Sequence, residues 1–195
     1  MREFIYFSNH ARTSGNFQTD DLMKAGRMDI AIHTLISAFF LSHDMRGDVK
    51  LHLIFYGQPD PPKHIEIQVT PELEISKKDV AGLIKRILYK YKSGTKNEVF
   101  PRCFIEKKSF LKVIEELVKE NKEIFILDKN GEDVREIELP KDKDVVFILG
   151  DQDGLPKKEL KRLQKFLRKI SVGPKTYFAS QVVTIINNEL DRRGV

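Results

Sequence analysis

Residues 145–149 run Val-Val-Phe-Ile-Leu and stop on Gly150. An unbroken β-branched and aromatic run of this length suits a strand covered on both faces, the situation of a parallel sheet flanked by helices. The remaining C-terminal residues keep that pattern. Gly150-Asp-Gln-Asp-Gly154 forms a glycine-bounded turn, Pro156 sits well for a helix start, and Leu160, Leu163, Phe166 and Leu167 supply the helix's inner face. A short strand at 170–172 breaks at Gly173-Pro174, and a closing helix spans 178 to about 192. Strand, glycine turn, helix, then the same again, predicts an α/β fold with an open, mostly parallel sheet and helices on both faces.

The first two thirds of the chain fit the same class. Residues 2–7 alternate like a strand, 11–25 are polar like a loop, and 27–41 form a helix whose Met28, Ile30, Ile32, Leu35, Ile36, Phe39 and Phe40 cover most of its circumference. Strands are expected at 49–56 and 65–69, joined by the proline-stiffened turn Gly57-Gln-Pro-Asp-Pro-Pro62. Ser76 and Asp79 have the spacing of a capping box before a helix that runs to about residue 92. The stretch 93–102, with Gly94, Asn97 and Pro101, looks like a linker, and Phe110, Leu111, Ile114, Leu117 and Val118 mark a third helix. Asn130-Gly131 is expected to turn the chain between strands at 123–127 and 134–139. At 195 residues the expectation is one domain, 1–195, in an N-terminal lobe of about 1–120 and a C-terminal lobe of about 121–195.

Composition narrows the class further. Hydrophobic residues at 41% and charged residues at 32% exclude an intrinsically disordered chain. The longest apolar run, 30–41, contains His33 and falls short of the roughly 20 residues that span a bilayer. Met1-Arg2-Glu3-Phe4 leads straight into a strand without the pattern of a secretion signal, so a cytoplasmic protein without membrane association is expected. The single Cys103 has no partner for a disulfide and is expected to be a small buried hydrophobe. With 34 Lys and Arg against 29 Asp and Glu, the formal charge of +5 favours an anionic partner. The excess concentrates in Lys157, Lys158, Lys161, Arg162, Lys165, Arg168 and Lys169, which face only Glu159, and in a second group from Lys77 to Lys96. Such faces are either solvated surface or phosphate-binding surface.

Several chemistries find no support. Gly150 and Gly154 match neither the dinucleotide fingerprint nor a P-loop, and Asp151 and Asp153 are too few for a calcium loop. His10, His33, His43, His52 and His64 never stand in a ligand pair such as H-x-x-x-H, so no metal site is expected. No hydrolytic triad order or nucleophile elbow occurs. What remains are the two glycine turns, placed where open α/β sheets bind ligands, and the polar cluster Ser42-His43-Asp44-Met45-Arg46-Gly47-Asp48. That cluster is either a helix cap with a turn or a functional loop.

Taken together, Gly26-Arg27-x-Asp29, Phe39-Phe40-Leu41-Ser42-His43-Asp44-x-Arg46, Tyr56-Gly57-Gln58-Pro59-Asp60-Pro61-Pro62, Asn130-Gly131-Glu132-Asp133 and Phe147-Ile-Leu-Gly150-Asp151 resemble the archaeal tRNA pseudouridine N1-methyltransferases of the SPOUT superfamily. The resemblance runs from Met1 to the final helix. It implies a C-terminal trefoil knot, a homodimer, and transfer of methyl from S-adenosylmethionine to N1 of pseudouridine 54 in the TΨC loop of tRNA. It also implies cofactor contacts at Leu127, Gly150, Val172, Gly173, Pro174, Lys175, Thr176, Tyr177 and Val182. Two positions depart from the family: His33 stands where an arginine is usual, and Phe178-Ala-Ser-Gln-Val182 replaces a histidine-rich, cysteine-containing stretch. A sister family methylates a pseudouridine of ribosomal RNA with the same chemistry, and a non-catalytic RNA-binding dimer is a further alternative. For the chemistry, Asp29 is the expected proton-accepting or base-orienting group. The expected RNA contacts are Arg27 and Arg46 near the site and Lys161, Arg162 and Lys165 on the basic helix. Asp29 has the competing role of a favourable charge at a helix N-terminus.

Overall fold

The computed structural model describes residues 1–73, 75–140, 143–163 and 166–195. Eight strands form one sheet: β1 (Arg2–Ser8), β2 (Val49–Phe55), β3 (Lys63–Gln68), β4 (Asn97–Phe100), β5 (Cys103–Glu106), β6 (Glu123–Asp133), β7 (Val145–Gly150) and β8 (Arg168–Ser171). Their order is β4-β5-β3-β2-β1-β7-β6-β8. From β2 to β8 neighbouring strands are parallel, while β3, β5 and β4 add an antiparallel edge. Among the described residues five helices cover the sheet: α1 (Met28–Phe39), α2 (Val80–Tyr89), α3 (Phe110–Lys119), α4 (Lys157–Leu163) and α5 (Ala179–Arg193).

The layering follows from the period-2 direction of strand side chains. Phe4 and Tyr6 of β1 and Phe147 and Leu149 of β7 face α1, α2 and α5. Ile5 and Phe7, with Val146 and Ile148, face α3 and α4. Phe147 stands between Phe4 and Phe125, with ring centroids 5.7 and 5.6 Å away. Burying each such ring is worth about 1.5–3 kcal/mol, so this row ties β1, β7 and β6 together on the face toward α1, α2 and α5. Cys103 is fully buried, and burial pushes its thiol up to about 12, as expected for a small hydrophobe. Among the described residues no helix is long and apolar enough to cross a membrane.

Four expectations need correction. The stretch 93–102 is not a linker, since it holds β4, which pairs with the unforeseen β5 through a turn at Pro101-Arg102, where Arg102 adopts a left-handed φ of 58°. Asn130-Gly131 does not turn the chain between two strands: β6 continues through it, and 134–139 form no strand. A Cβ on Gly131 would lie 2.5 Å from the Ile170 backbone, so the glycine serves close passage along β8. Ile170 pairs with both Leu127 and Glu132, which shows β6 bending around β8. The capping box at Ser76 does not form around α2, because the Asp79 side chain makes no cap and instead bonds Arg86 at 2.6 Å. Finally, α4 ends at Leu163, so Phe166 is not on its inner face and is 44% exposed.

Candidate functional site

Parallel strands deliver their chain ends to one edge, where loops rather than sheet determine what is exposed. At the carboxyl ends of β6, β7 and β8 two adjoining cavities open, of about 310 and 320 Å³. The first is lined by Leu127 at the bend of β6, by the segment after β8 and by Val182 in the first turns of α5. Val172, Gly173, Lys175, Thr176 and Tyr177 all contribute to it. Gly150 and the Asp151 turn line the second, which shares Leu127, Asp128, Thr176, Tyr177 and Val182 with the first. Every residue expected at the cofactor site therefore borders these cavities except Pro174, which lines neither.

The rim is tied down by short-range bonds. The Ser171 hydroxyl donates to the Gly173 carbonyl at 2.9 Å and accepts from its amide at 3.1 Å, closing the turn in which Gly173 has a φ of 141°. Val134 N donates to the Ser171 carbonyl at 2.8 Å, so the bent end of β6 clamps the same turn. Across the edge, Asp151 Oδ2 accepts from Ser8 Oγ at 2.8 Å and Asn9 N at 2.9 Å, joining the end of β1 to the end of β7. Asp128 borders both cavities and bonds Lys169 at 2.8 Å; that contact holds its carboxyl below the usual range. Sequence reasoning missed Asp128, Lys129, Ser171 and Leu155. Asp128 directly follows the expected end of a strand at 127, a position that the ligand rule for parallel sheets points to.

Next to this edge lies a second polar group. Arg27, in a left-handed conformation just before α1, grips Asp29 through Nε at 3.0 Å and Nη2 at 2.9 Å. The Arg27 guanidinium holds the Asp29 carboxyl below its ordinary range. The buried hydroxyl of Tyr6 has no hydrogen-bond partner among the described residues. Burial pushes this phenol up, and the charges of Asp151 and Asp29 add to the effect.

The expected RNA contacts fall in different settings. Lys161 and Arg162 are exposed on α4 and make no ion pair among the described residues. Glu159 does not neutralise them, since its oxygens accept from Tyr56 Oη and Leu111 N, each at 2.7 Å, and dock α4 on α3. Lys165 lies outside the described residues. Arg168 and Lys169 sit on β8 rather than the helix, bound to Glu132 at 3.0 Å and Asp128 at 2.8 Å, so the basic helix is shorter than the charge run. Arg46 reaches from the Ser42-to-Asp48 loop to Asp191 of α5, with Nη1 2.8 Å from Oδ1. His33 is exposed on α1, and Phe178 is 74% exposed.

Comparison with known proteins adds to this geometry. Residues 1–195 match the family described as "Putative SAM-dependent RNA methyltransferase". The chain is 36% identical over 206 residues to the tRNA (pseudouridine(54)-N(1))-methyltransferase of Pyrococcus abyssi, covering 100% of each. It is 32% identical over 205 residues to the protein of the same name from Methanocaldococcus jannaschii, covering 100% of this chain and 98% of the relative. Among solved structures it is similar to Archaeoglobus fulgidus Nep1 bound to S-adenosylhomocysteine, with a TM-score of 0.67 over 99% of both chains. At 13% identity that likeness concerns the fold. Matched along its whole length, with cavities at the edge where an α/β sheet binds ligands, the chain belongs to the S-adenosylmethionine-dependent RNA methyltransferases.

Proposed function

We propose that this protein transfers methyl from S-adenosylmethionine to N1 of the pseudouridine at position 54 of tRNA, the reaction named for its relatives. One observation carries the reading: Leu127, Val172, Gly173, Lys175, Thr176, Tyr177 and Val182, singled out by resemblance, border one cavity at the carboxyl edge of the sheet. The fit to the cofactor is chemical as well as spatial. Backbone around Gly173, with its φ of 141°, approaches a ligand without a side chain in the way, and Leu127 and Val182 offer apolar contact for an adenine ring.

When bound, the cofactor supplies an electrophilic methyl on a sulfonium. Leu127, Gly150, the turn at Gly173 and Val182 would hold that group at the sheet edge, and N1 would lose its proton as it takes the methyl, with sulfur left as a neutral thioether. The protein's work is placement of the nitrogen and an outlet for the proton. Arg27 lowers the proton affinity of Asp29, which suits the carboxylate to orienting the base as a hydrogen-bond acceptor better than to holding a proton. Lys161 and Arg162 meet phosphates away from the reacting base.

The wider assembly belongs to the same reading. A single sheet runs through both lobes, about 1–120 and 121–195, which supports one domain. The bend of β6 around β8 supports a C-terminal knot. The protein acts in the cytoplasm as a homodimer. The apolar surplus of α5 does not argue for that dimer, because Val182, Val183 and Ile186 are buried within the chain. The exposed Leu41 and Phe178 support it instead. Incubation with labelled cofactor and unmethylated tRNA, followed by nucleoside analysis, tests the reading: N1-methylpseudouridine is expected, and labelled ribosomal RNA in its place would move the substrate to the sister family.

A further inference from the structure

On the α3 face of the sheet, far along from the cavities, two histidines twelve residues apart are brought together by strand pairing. His52 of β2 lies opposite Glu66 of β3, and His64 of β3 lies opposite Glu106 of β5. His52 and His64 are each 3% exposed. Their rings are within 9° of parallel with centroids 5.2 Å apart, while His52 Nδ1 and His64 Nε2 are only 2.9 Å apart. A nitrogen gap so much shorter than the centroid gap means that the rings meet edge to edge, each aiming a nitrogen at the other.

The outer nitrogens are both committed. His52 Nε2 is 3.1 Å from Glu3 Oε2, and His64 Nδ1 is 3.0 Å from Glu106 Oε1. An ionised carboxylate only accepts, so each outer nitrogen must carry the proton. A neutral imidazole has one N–H, which leaves two lone pairs facing each other at the inner nitrogens. That arrangement is repulsive unless a shared proton or a metal ion lies between them, and the third donor favours the metal. Glu66 supplies a third donor, with the three ligand atoms all within 4.8 Å of one another. Carboxylates on the far nitrogens are the usual second layer around histidine-bound metals, because they fix the tautomer that leaves the ligand nitrogen free. A cavity of about 70 Å³ beside them has room for a water as a further ligand. Charge does not oppose it: Glu3, Glu66, Glu106, Glu116 and Glu120 outnumber Lys50, Lys96, Lys108 and Lys122 around the pair.

We propose that His52, His64 and Glu66 bind one first-row divalent metal ion, with Zn²⁺ the best match to two imidazoles and a carboxylate, as a structural staple between β2 and β3. Bonds to zinc of about 2.0–2.1 Å in a tetrahedral arrangement require the inner nitrogens to move apart to about 3.4 Å and both rings to swing, so that their lone pairs converge on the metal instead of on each other. The sequence expectation of no metal site rested on spacing along one segment; here the register of two strands makes the pair.

The test is calorimetric titration of the metal-stripped full chain with Zn²⁺, repeated with Co²⁺ to read tetrahedral coordination from its visible absorption. One ion per chain is expected, with a raised melting temperature in the wild type. His64→Gln should abolish that binding, Glu66→Gln should weaken it at least tenfold, and His33→Gln, on the exposed face of α1, should leave it unchanged. Should His64→Gln fail to fold by circular dichroism, nitrogen NMR of the wild type decides: His52 Nδ1 and His64 Nε2 must shift on adding one equivalent of Zn²⁺. Absence of stoichiometric binding, undiminished binding in a folded His64→Gln, or ring nitrogens that keep a shared proton in the presence of zinc would each overturn the proposal.

Discussion

Arg46 and Asp191 stand 145 positions apart and meet in a two-pronged ion pair, both guanidinium nitrogens facing both carboxylate oxygens. Asp191 also accepts from Arg2 at 2.8 Å. The pair fastens the loop that follows α1 to the helix whose first turns line the candidate cofactor cavity. The loop is thus anchored near the far end of that helix, nine residues beyond Val182.

That link makes an acid-sensitive contribution to stability. Arg46, followed by Arg2, lowers the Asp191 carboxyl to about 2 against its burial. Its pKa is depressed in the folded state, so the contribution is complete above the unfolded value near 4 and disappears as pH falls toward 2. Because Asp191 is 38% exposed, solvent screening limits the pair to about 1 kcal/mol. Denaturant midpoints from pH 2 to 6 should show a slope in this window that Asp191→Asn flattens, and a double-mutant cycle with Arg46→Ala should return a coupling of about that size.

Gly150 is predicted to be intolerant for a local reason. A Cβ there would lie 2.7 Å from the Gly154 backbone, so a side chain must displace the Asp151 turn that lines the second cavity. Gly150→Val should leave the circular dichroism spectrum intact and reduce S-adenosylhomocysteine affinity more than tenfold by calorimetry. Wild-type affinity in this variant would remove the turn from the site.

The basic residues separate by salt dependence. Replacing Lys161 and Arg162 by glutamine should weaken tRNA binding and flatten the log–log salt slope by about 0.7 to 0.9 per lost phosphate contact, with turnover at saturating tRNA preserved. Arg46→Gln should instead lower turnover at saturation, the effect expected of an arginine that contacts RNA beside the reacting base in addition to holding Asp191. Equal effects of both replacements on affinity alone would reduce Arg46 to a fastener.

The dimer is predicted to depend on apolar groups that the chain leaves uncovered. Light scattering should give twice the chain mass, and Phe178→Glu with Leu41→Glu should halve it. A wild-type monomer that still methylates tRNA would refute this arrangement.

The parts of the fold legible in the sequence were those buried on two sides. β7 is an apolar run because helices cover both of its faces, whereas α5 and α1 carry a helical period because each buries a stripe against one face of the sheet. Asn130-Gly131 misled because the same dipeptide serves a tight turn or, as here, the close passage of β6 along β8. β4 and β5 escaped notice because each has only four residues and β4 lies at the sheet edge. The cofactor cavity was readable from the resemblance and from the glycine turns after β7 and β8. The His52–His64 pair was not, since it depends on the register between strands, which no spacing along one segment encodes.

Methyl transfer to N1 is probed most sharply by two tRNA transcripts that differ only at position 54, one carrying pseudouridine and the other uridine. Label from S-adenosylmethionine should enter the first alone and be recovered as N1-methylpseudouridine, because uridine's N1 is occupied by the glycosidic bond and carries no hydrogen to lose. Equal labelling of both transcripts, or none in the first by protein shown to bind the cofactor, would contradict the proposed reaction.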